Sequence, residues 1–256
     1  VGFAHGVMNT DNMSMLGLTL DYGPFGFLDA YDAGFVCNHS DHGGRYAFAR
    51  QPGVAYWNLG RLAQAMLPLF SMDPDTAAGT AYALLDAWEP RFQAHYRERM
   101  RRKLGLLEWR GEADDALLER LLGLMQRDQV DWTIFWRRLG TLPAADGGGG
   151  EAPPVRDLFL EREAFDAWAA DYRRRLGEDG VPDAARRAAM AGANPAYVLR
   201  NHLAQAAIER AEEGDFAEVE RLLDVLRDPY TEQPGMAAYA GFPPDWARRI
   251  VVSCSS

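Results

Sequence analysis

From Trp57 onward, apolar residues recur at three- and four-residue spacing, and that period restricts most of the chain to α-helices. Leu59, Leu62, Met66 and Leu69 or Phe70 mark the first face. The stretch "DPDT" (Asp73 to Thr76) supplies an N-cap Asp followed by Pro at the first helical position, so a second helix is expected to start near Pro74. Further faces follow in Leu117, Leu118, Leu121, Leu122 and Met125, in Phe165, Trp168 and Tyr172, in Val198, Leu199, Leu203 and Ile208, and in Phe216, Val219, Leu222, Leu223 and Leu226. A 48% share of hydrophobic residues over 256 positions gives these faces enough apolar surface for a sizeable core. The one clear break, "LPAADGGGGEAPP" (Leu142 to Pro154), has four consecutive glycines and flanking prolines and is expected to be a flexible surface loop.

Residues 1–56 are different in kind. They are rich in Gly, Asp, Asn and aromatics without a sustained helical period, which predicts short strands and ordered loops of the sort that carry sites. Two motifs stand out, "HGVMNTDN" (His5 to Asn12) and "DYGPFG" (Asp21 to Gly26). A protein-kinase catalytic loop runs His-Arg-Asp, four residues, then Asn, with a later Asp-Phe-Gly whose Asp holds Mg²⁺. In that register His5 takes the His place, Gly6 the Arg place, Val7 the place of the catalytic Asp, and Asn12 the metal-binding Asn. Asp21-Tyr22-Gly23 stands for Asp-Phe-Gly. Magnesium takes hard oxygen ligands, one or two from the protein and the rest from phosphate and water, so Asn12 and Asp21 suit it. Asp11 adds a carboxylate free to accept a proton. The plainer alternative is a set of solvated Asp and Asn turns.

The charge balance bears on partners. With 37 acidic and 27 basic side chains, the net charge of −10 argues against nucleic acid or an anionic membrane as a general partner; a local basic patch is still open, as at "RERMRRK" (Arg97 to Lys103). No stretch approaches the ~20 apolar residues that span a bilayer, and the start lacks the layout of a signal peptide. Two cysteines, Cys37 and Cys254, are too few for a disulfide scaffold and fit a reducing, cytoplasmic compartment. "CNHSDH" (Cys37 to His42) gathers zinc-type ligands, but its spacing matches no common zinc module, and a polar loop is the simpler reading. His95 and His202 stand alone on helical stretches and are expected to be packed or solvated.

The longer segment "HGVMNTDNMSMLGLTLDYGPFGFLDAYDAGFVCNHSD" (His5 to Asp41) resembles the central segment of the selenoprotein O family, pseudokinases that transfer AMP to protein hydroxyls. "NPAYVLRNHLAQAAIERA" (Asn194 to Ala211) and the terminal "CSS" (Cys254 to Ser256) are similar to later signatures of that family, so the resemblance runs the length of the chain.

The resemblance implies a kinase-like fold in which ATP lies reversed, with its α-phosphate beside the acceptor, and a Ser, Thr or Tyr side chain of a protein substrate as the acceptor. Asn12 and Asp21 would hold Mg²⁺ or Mn²⁺ and the nucleotide, and Asp11 would be the general base. A phosphate-covering Gly-rich loop and a strand lysine are not found, since the only lysine is Lys103 in a helical stretch. The expected architecture is therefore mainly α: a kinase-like C-terminal lobe with a helical C-terminal extension and the N-terminal lobe missing. Residues 1–256 would form one partial catalytic domain, with the catalytic and metal-binding loops in 1–56 and the helical body in 57–256, inactive as a fragment. The family also places selenocysteine or cysteine where Cys254 stands, and a reversible redox disulfide with Cys37 is expected, two unrelated thiols being the alternative. A phosphotransferase and a non-catalytic nucleotide-binding or scaffold module are the rival functions.

Overall fold

The helical period read from Trp57 starts earlier in the structure, a computed structural model that describes residues 1–145 and 154–253. Helix α1 runs Gln51–Phe70 and is entered through a 3₁₀ turn at Phe48–Arg50, with a proline in its first turn. Pro52 has no N–H to leave unsatisfied there, so the helix begins where the loop ends rather than where the apolar period becomes visible. Helix α2 (Pro74–Asp86) starts where the sequence put it: Asp73 accepts the Thr76 backbone N–H at 2.9 Å. Then come α3 (Trp88–Leu104), α4 (Glu112–Asp128), α5 (Trp132–Leu139), α6 (Arg162–Asp179), α7 (Asp183–Ala191), α8 (Asn201–Glu212) and α9 (Ala217–Arg227). Two short strands, β1 (Phe3–Ala4) and β2 (Gly26–Phe27), form a two-stranded sheet, so the described chain is mainly α. Most of the glycine-rich stretch lies outside the described residues, as does Cys254. No helix among the described residues is long and apolar enough to cross a membrane.

The chain divides into two packed units. One holds residues 3–26 and 33–96 with the tail from Val251, and the other holds residues 1–2, 27–32 and 97–250. The division falls within α3.

In the second, helical unit, α4 and α6 bury the faces that their spacing announced. Leu117, Leu121 and Met125 meet Phe165, Trp168 and Tyr172, each under 5% exposed. The aromatic rings continue as a ladder, Phe159 on Phe165 at 4.4 Å and Trp168 on Tyr172 at 5.0 Å between centroids. Their polar ends are satisfied: Trp168 Nε1 donates to Leu117 O at 2.9 Å and the Tyr172 hydroxyl to Leu104 O at 2.6 Å. Helix α9 is covered less fully than its period suggests. Leu222 and Val225 are buried, while Phe216, Val219 and Leu223 stay 43–59% exposed, because periodicity aligns side chains without supplying anything to pack on them. The basic run on α3 is partly neutralised, with Arg97 forked onto Asp115 at 2.9 and 2.6 Å and Arg101 onto Glu98.

The stretch 194–211 owes its character to buried polar bonds. Asn194 accepts from Lys103 Nζ at 2.7 Å and donates to Lys103 O at 3.1 Å, and Arg200 pairs with Asp29 and Asp131. Lys103 is 6% exposed, with its ammonium 4.6 Å from the Trp136 ring centroid and 5.6 Å from that of Trp132. Those rings and the Asn194 oxygen favour the charge, but burial outweighs them and brings the pKa down to about 7. Between pH 7 and the ordinary lysine value of 10.5, the unfolded chain therefore holds a proton that the folded chain lacks. This group's contribution to stability is expected to rise with pH across that window, by about 1.4 kcal/mol per unit, and to be flat below it. Lys103→Met removes the titration. In urea unfolding from about pH 7.5 to 10, wild type should gain on the variant at each step; a difference that stays constant would contradict the assignment.

Candidate functional site

The loop from Ala4 to Asn12 has almost no regular structure, so its backbone carbonyls cannot be satisfied by a ladder and must find side chains. They do so one by one. Cys37 Sγ donates to Ala4 O at 3.4 Å, Asn38 Nδ2 to Gly6 O at 3.2 Å, Asn12 Nδ2 to Val7 O at 3.1 Å and Asn58 Nδ2 to Met8 O at 2.9 Å. The start of the loop is clamped by Gln51, whose Oε1 accepts from His5 N at 3.0 Å and whose Nε2 donates to Phe3 O at 3.0 Å. Its far side is held by Tyr46, whose hydroxyl donates to Asn9 Oδ1 at 2.6 Å, and Asp41 fixes Tyr46 by accepting its backbone N–H at 2.8 Å.

Gly6 is required at its position. Its φ is +83°, and a Cβ there would sit 2.6 Å from the Pro24 carbonyl oxygen and 2.9 Å from Cys37 Sγ. The arginine that a kinase loop carries at this place has no room here, because the backbone closes on the following segment.

The geometry brings Asn12 and Asp21 together. Asn12 Nδ2 donates to Asp21 Oδ2 at 3.2 Å, so two side chains nine residues apart meet head to head at the surface. His5 underpins the contact from below. The ring is 8% exposed, its Nε2 lies 2.7 Å from Leu20 O, and Val7 N–H donates to Nδ1 at 3.4 Å. A carbonyl only accepts, so Nε2 carries the proton and Nδ1 is the acceptor. Asp21 itself adopts a left-handed φ of +57°, a region that Asp tolerates better than most residues, and this turns its carboxylate out of the strand path toward Asn12. Between the two, Met13 and Thr19 form an antiparallel bridge, and the intervening tip exposes Met15, Leu16 and Leu18 by 61–82%. Asp11 lies beside Asn12 on the 3₁₀ turn Thr10–Asn12 and is exposed.

This donor set fits a small hard cation. Mg²⁺ takes oxygen ligands, and the Asn12 atom that meets Asp21 Oδ2 at 3.2 Å is the amide nitrogen, so Asn12 would hold such an ion through its Oδ1 after the amide turns over. No group of three or more His, Cys, Asp or Glu side chains suited to a metal occurs among the described residues, which leaves the rest of such an ion's shell to phosphate and water. At "CNHSDH", Cys37 is buried and turned to a carbonyl, while His39 and His42 stack edge to face at 6.3 Å. His95 is exposed and His202 buried. Three residues that fix the loop, Tyr46, Gln51 and Asn58, carry no recognisable motif, and Asn38 sits inside "CNHSDH" without being one of its zinc-type ligands. The one available signal is Asn58, an amide set between Trp57 and Leu59 in a largely apolar helix.

A family model described as protein adenylyltransferase SelO matches residues 1–227. Three bacterial relatives carry the name protein nucleotidyltransferase YdiU. That of Thioalkalivibrio sulfidiphilus is 58% identical over 258 residues, covering 100% of this chain and 51% of its own length. The Paraburkholderia xenovorans relative is 55% identical over 262 residues, covering 100% and 50%, and that of Myxococcus xanthus 55% over 256 residues, covering 100% and 51%. The chain thus spans about half the length of the curated relatives it matches. With a family model covering well over half of its residues, the chain belongs to the protein adenylyltransferase SelO family.

Proposed function

We propose that this chain supplies the base and metal-binding part of a protein adenylyltransferase that moves AMP from ATP to Ser, Thr or Tyr hydroxyls of protein substrates, within a kinase-like C-terminal lobe. The observation that carries the reading is the Asn12–Asp21 contact at 3.2 Å with exposed Asp11 next in sequence to Asn12. Asn12 and Asp21 would hold Mg²⁺ or Mn²⁺, which neutralises phosphate charge when bound. Asp11 accepts the proton of the acceptor hydroxyl as its oxygen attacks the α-phosphorus; the bond from that phosphorus to the bridging oxygen breaks, and pyrophosphate leaves. Lys103 takes no part, since it is buried and bonded to Asn194. The test is transfer to a protein acceptor by the full-length polypeptide, with ATP labelled on either the α- or the γ-phosphate. Label from the α-position supports the reading; label from γ makes it a phosphotransferase, and no transfer leaves a nucleotide-binding or scaffold module.

The redox bridge between Cys37 and Cys254 belongs to the same proposal. The tail approaches the Cys37 segment: Val252 pairs in parallel with Asn38, and Val252 O accepts from His39 N at 2.8 Å. Burial pushes the Cys37 thiol up to about 11, so it is a poor nucleophile near neutral pH. Oxidation of the full-length protein by glutathione disulfide is expected to yield a Cys37–Cys254 linked peptide on mapping. In the chain-entropy model, closing so long a loop adds roughly 5 kcal/mol of stability. Absence of the linked peptide under oxidising conditions removes the bridge.

A further inference from the structure

Resting on the proposed function, we infer that the cavity between α1, α2 and the start of α3 docks the protein substrate by a cationic side chain near the acceptor hydroxyl. The cavity has a volume of about 460 Å³ and is lined by residues of one unit only. Its apolar wall is a row of aromatic rings, Tyr56 on Trp88 at 5.4 Å and Trp88 on Phe92 at 5.0 Å with planes within 8° of parallel. Two exposed carboxylates, Asp86 at the end of α2 and Glu89 in the first turn of α3, also line it.

Carboxylates beside an apolar wall suit a long cationic side chain. A guanidinium or ammonium is attracted to the carboxylates by charge, while its aliphatic stem covers the rings, which stack on one another through their faces. No arginine or lysine lines this cavity; Arg91 lines the neighbouring apolar groove instead. Gly53 leaves space for the occupant, since a Cβ built there meets nothing within 4 Å.

Position ties the cavity to the chemistry. Helix α1 bears Gly53 and Tyr56, and the same helix holds the candidate catalytic loop through Gln51 to His5 N and Phe3 O and through Asn58 to Met8 O. A peptide seated along the first turns of α1 therefore lies on the same helix that anchors the loop bearing Asp11.

The test is binding of fluorescein-labelled Gly-Arg-Arg-Ala-Ser-Ala-Gly to the intact protein, followed by anisotropy, against a twin with both arginines replaced by citrulline, the neutral isostere. The arginine peptide should bind about tenfold or more tightly, and the advantage should shrink with salt. Asp86→Asn with Glu89→Gln, both at exposed sites where folding is not at stake, should abolish the difference, and Gly53→Trp should weaken the arginine peptide by filling the cavity. Equal affinity of the two peptides, or a preference that survives both variants, overturns the inference. AMP transfer to the same peptides is scored separately. Transfer without an arginine preference leaves the proposed function standing and removes the docking site; preference without transfer keeps a cation-binding groove and removes the adenylyltransfer reading.

Discussion

Asp11→Ala in the full-length polypeptide is expected to reduce AMP transfer by ~10²–10⁴-fold while leaving ATP affinity within about twofold of the parent. A positioned general base typically contributes that factor by taking the acceptor proton as the new bond forms, and it does little for the bound nucleotide. Asp21→Ala should differ in kind. Asp21 accepts from Asn12 at 3.2 Å, and in the proposed site it would hold the cation that neutralises phosphate charge, so both affinity and transfer should fall. The check is transfer of α-labelled AMP under saturating ATP, alongside calorimetric titration of nucleotide with each variant. Transfer by Asp11→Ala at the parental rate would strip Asp11 of its role. Full nucleotide affinity in Asp21→Ala would strip Asp21 of its own.

The second large effect is on stability. Arg200 is 1% exposed, forked onto Asp131 at 2.9 and 3.0 Å and bonded to Asp29 at 2.6 Å. Asp131 is itself buried, 6% exposed, and caps α5 through Ile134 N at 2.9 Å. Arg200→Met keeps the bulk of the side chain but strands the Asp131 carboxylate in a poorly solvated place. Breaking such a buried pair on one side costs about 3–5 kcal/mol, because the remaining charge loses its partner without regaining water. For a chain of this size that is a fall in Tm of roughly 6–20 °C. Arg200→Lys should recover only part of it, since a single ammonium cannot reproduce the two-pronged bond. A loss below about 1 kcal/mol for Arg200→Met, measured by chemical unfolding, would show that the triad is not holding the helical unit together.

Much of the helical body was legible because helix formation is local. The Asp73 cap reaches three residues to Thr76, and the buried residues of α4 and α6 follow a fixed turn geometry. The start of α1 lies six residues ahead of the visible period because its first six residues, Gln51 to Tyr56, carry loop-like composition; its proline and glycine are tolerated at a helix start but advertise a turn. The period overstates the buried part of α9 for a different reason. Period states which side chains share a face, whereas burial depends on what the rest of the chain brings to it.

The candidate site divides along the same line. The sequence by itself singled out Asn12 and Asp21 by their motif spacing, with Asp11 beside them, and left solvated turns as the alternative; the contact between Asn12 and Asp21 came from the structure. The sequence determined the mainly α body through its period and the helix start at Asp73 through its cap. Only the tertiary structure decided how the irregular loop is held, through Cys37, Asn38, Tyr46, Gln51 and Asn58, which approach it from 32 to 50 residues away. It alone decided that Arg200 would meet Asp131 and Asp29, 69 and 171 residues distant, and that Lys103 would be desolvated against Trp136. The physical reason is range. Caps, turns and helical faces are fixed by dihedral geometry within a few residues, while the strength of a buried charge or amide depends on the solvent it loses, and that is set only when distant segments close over it.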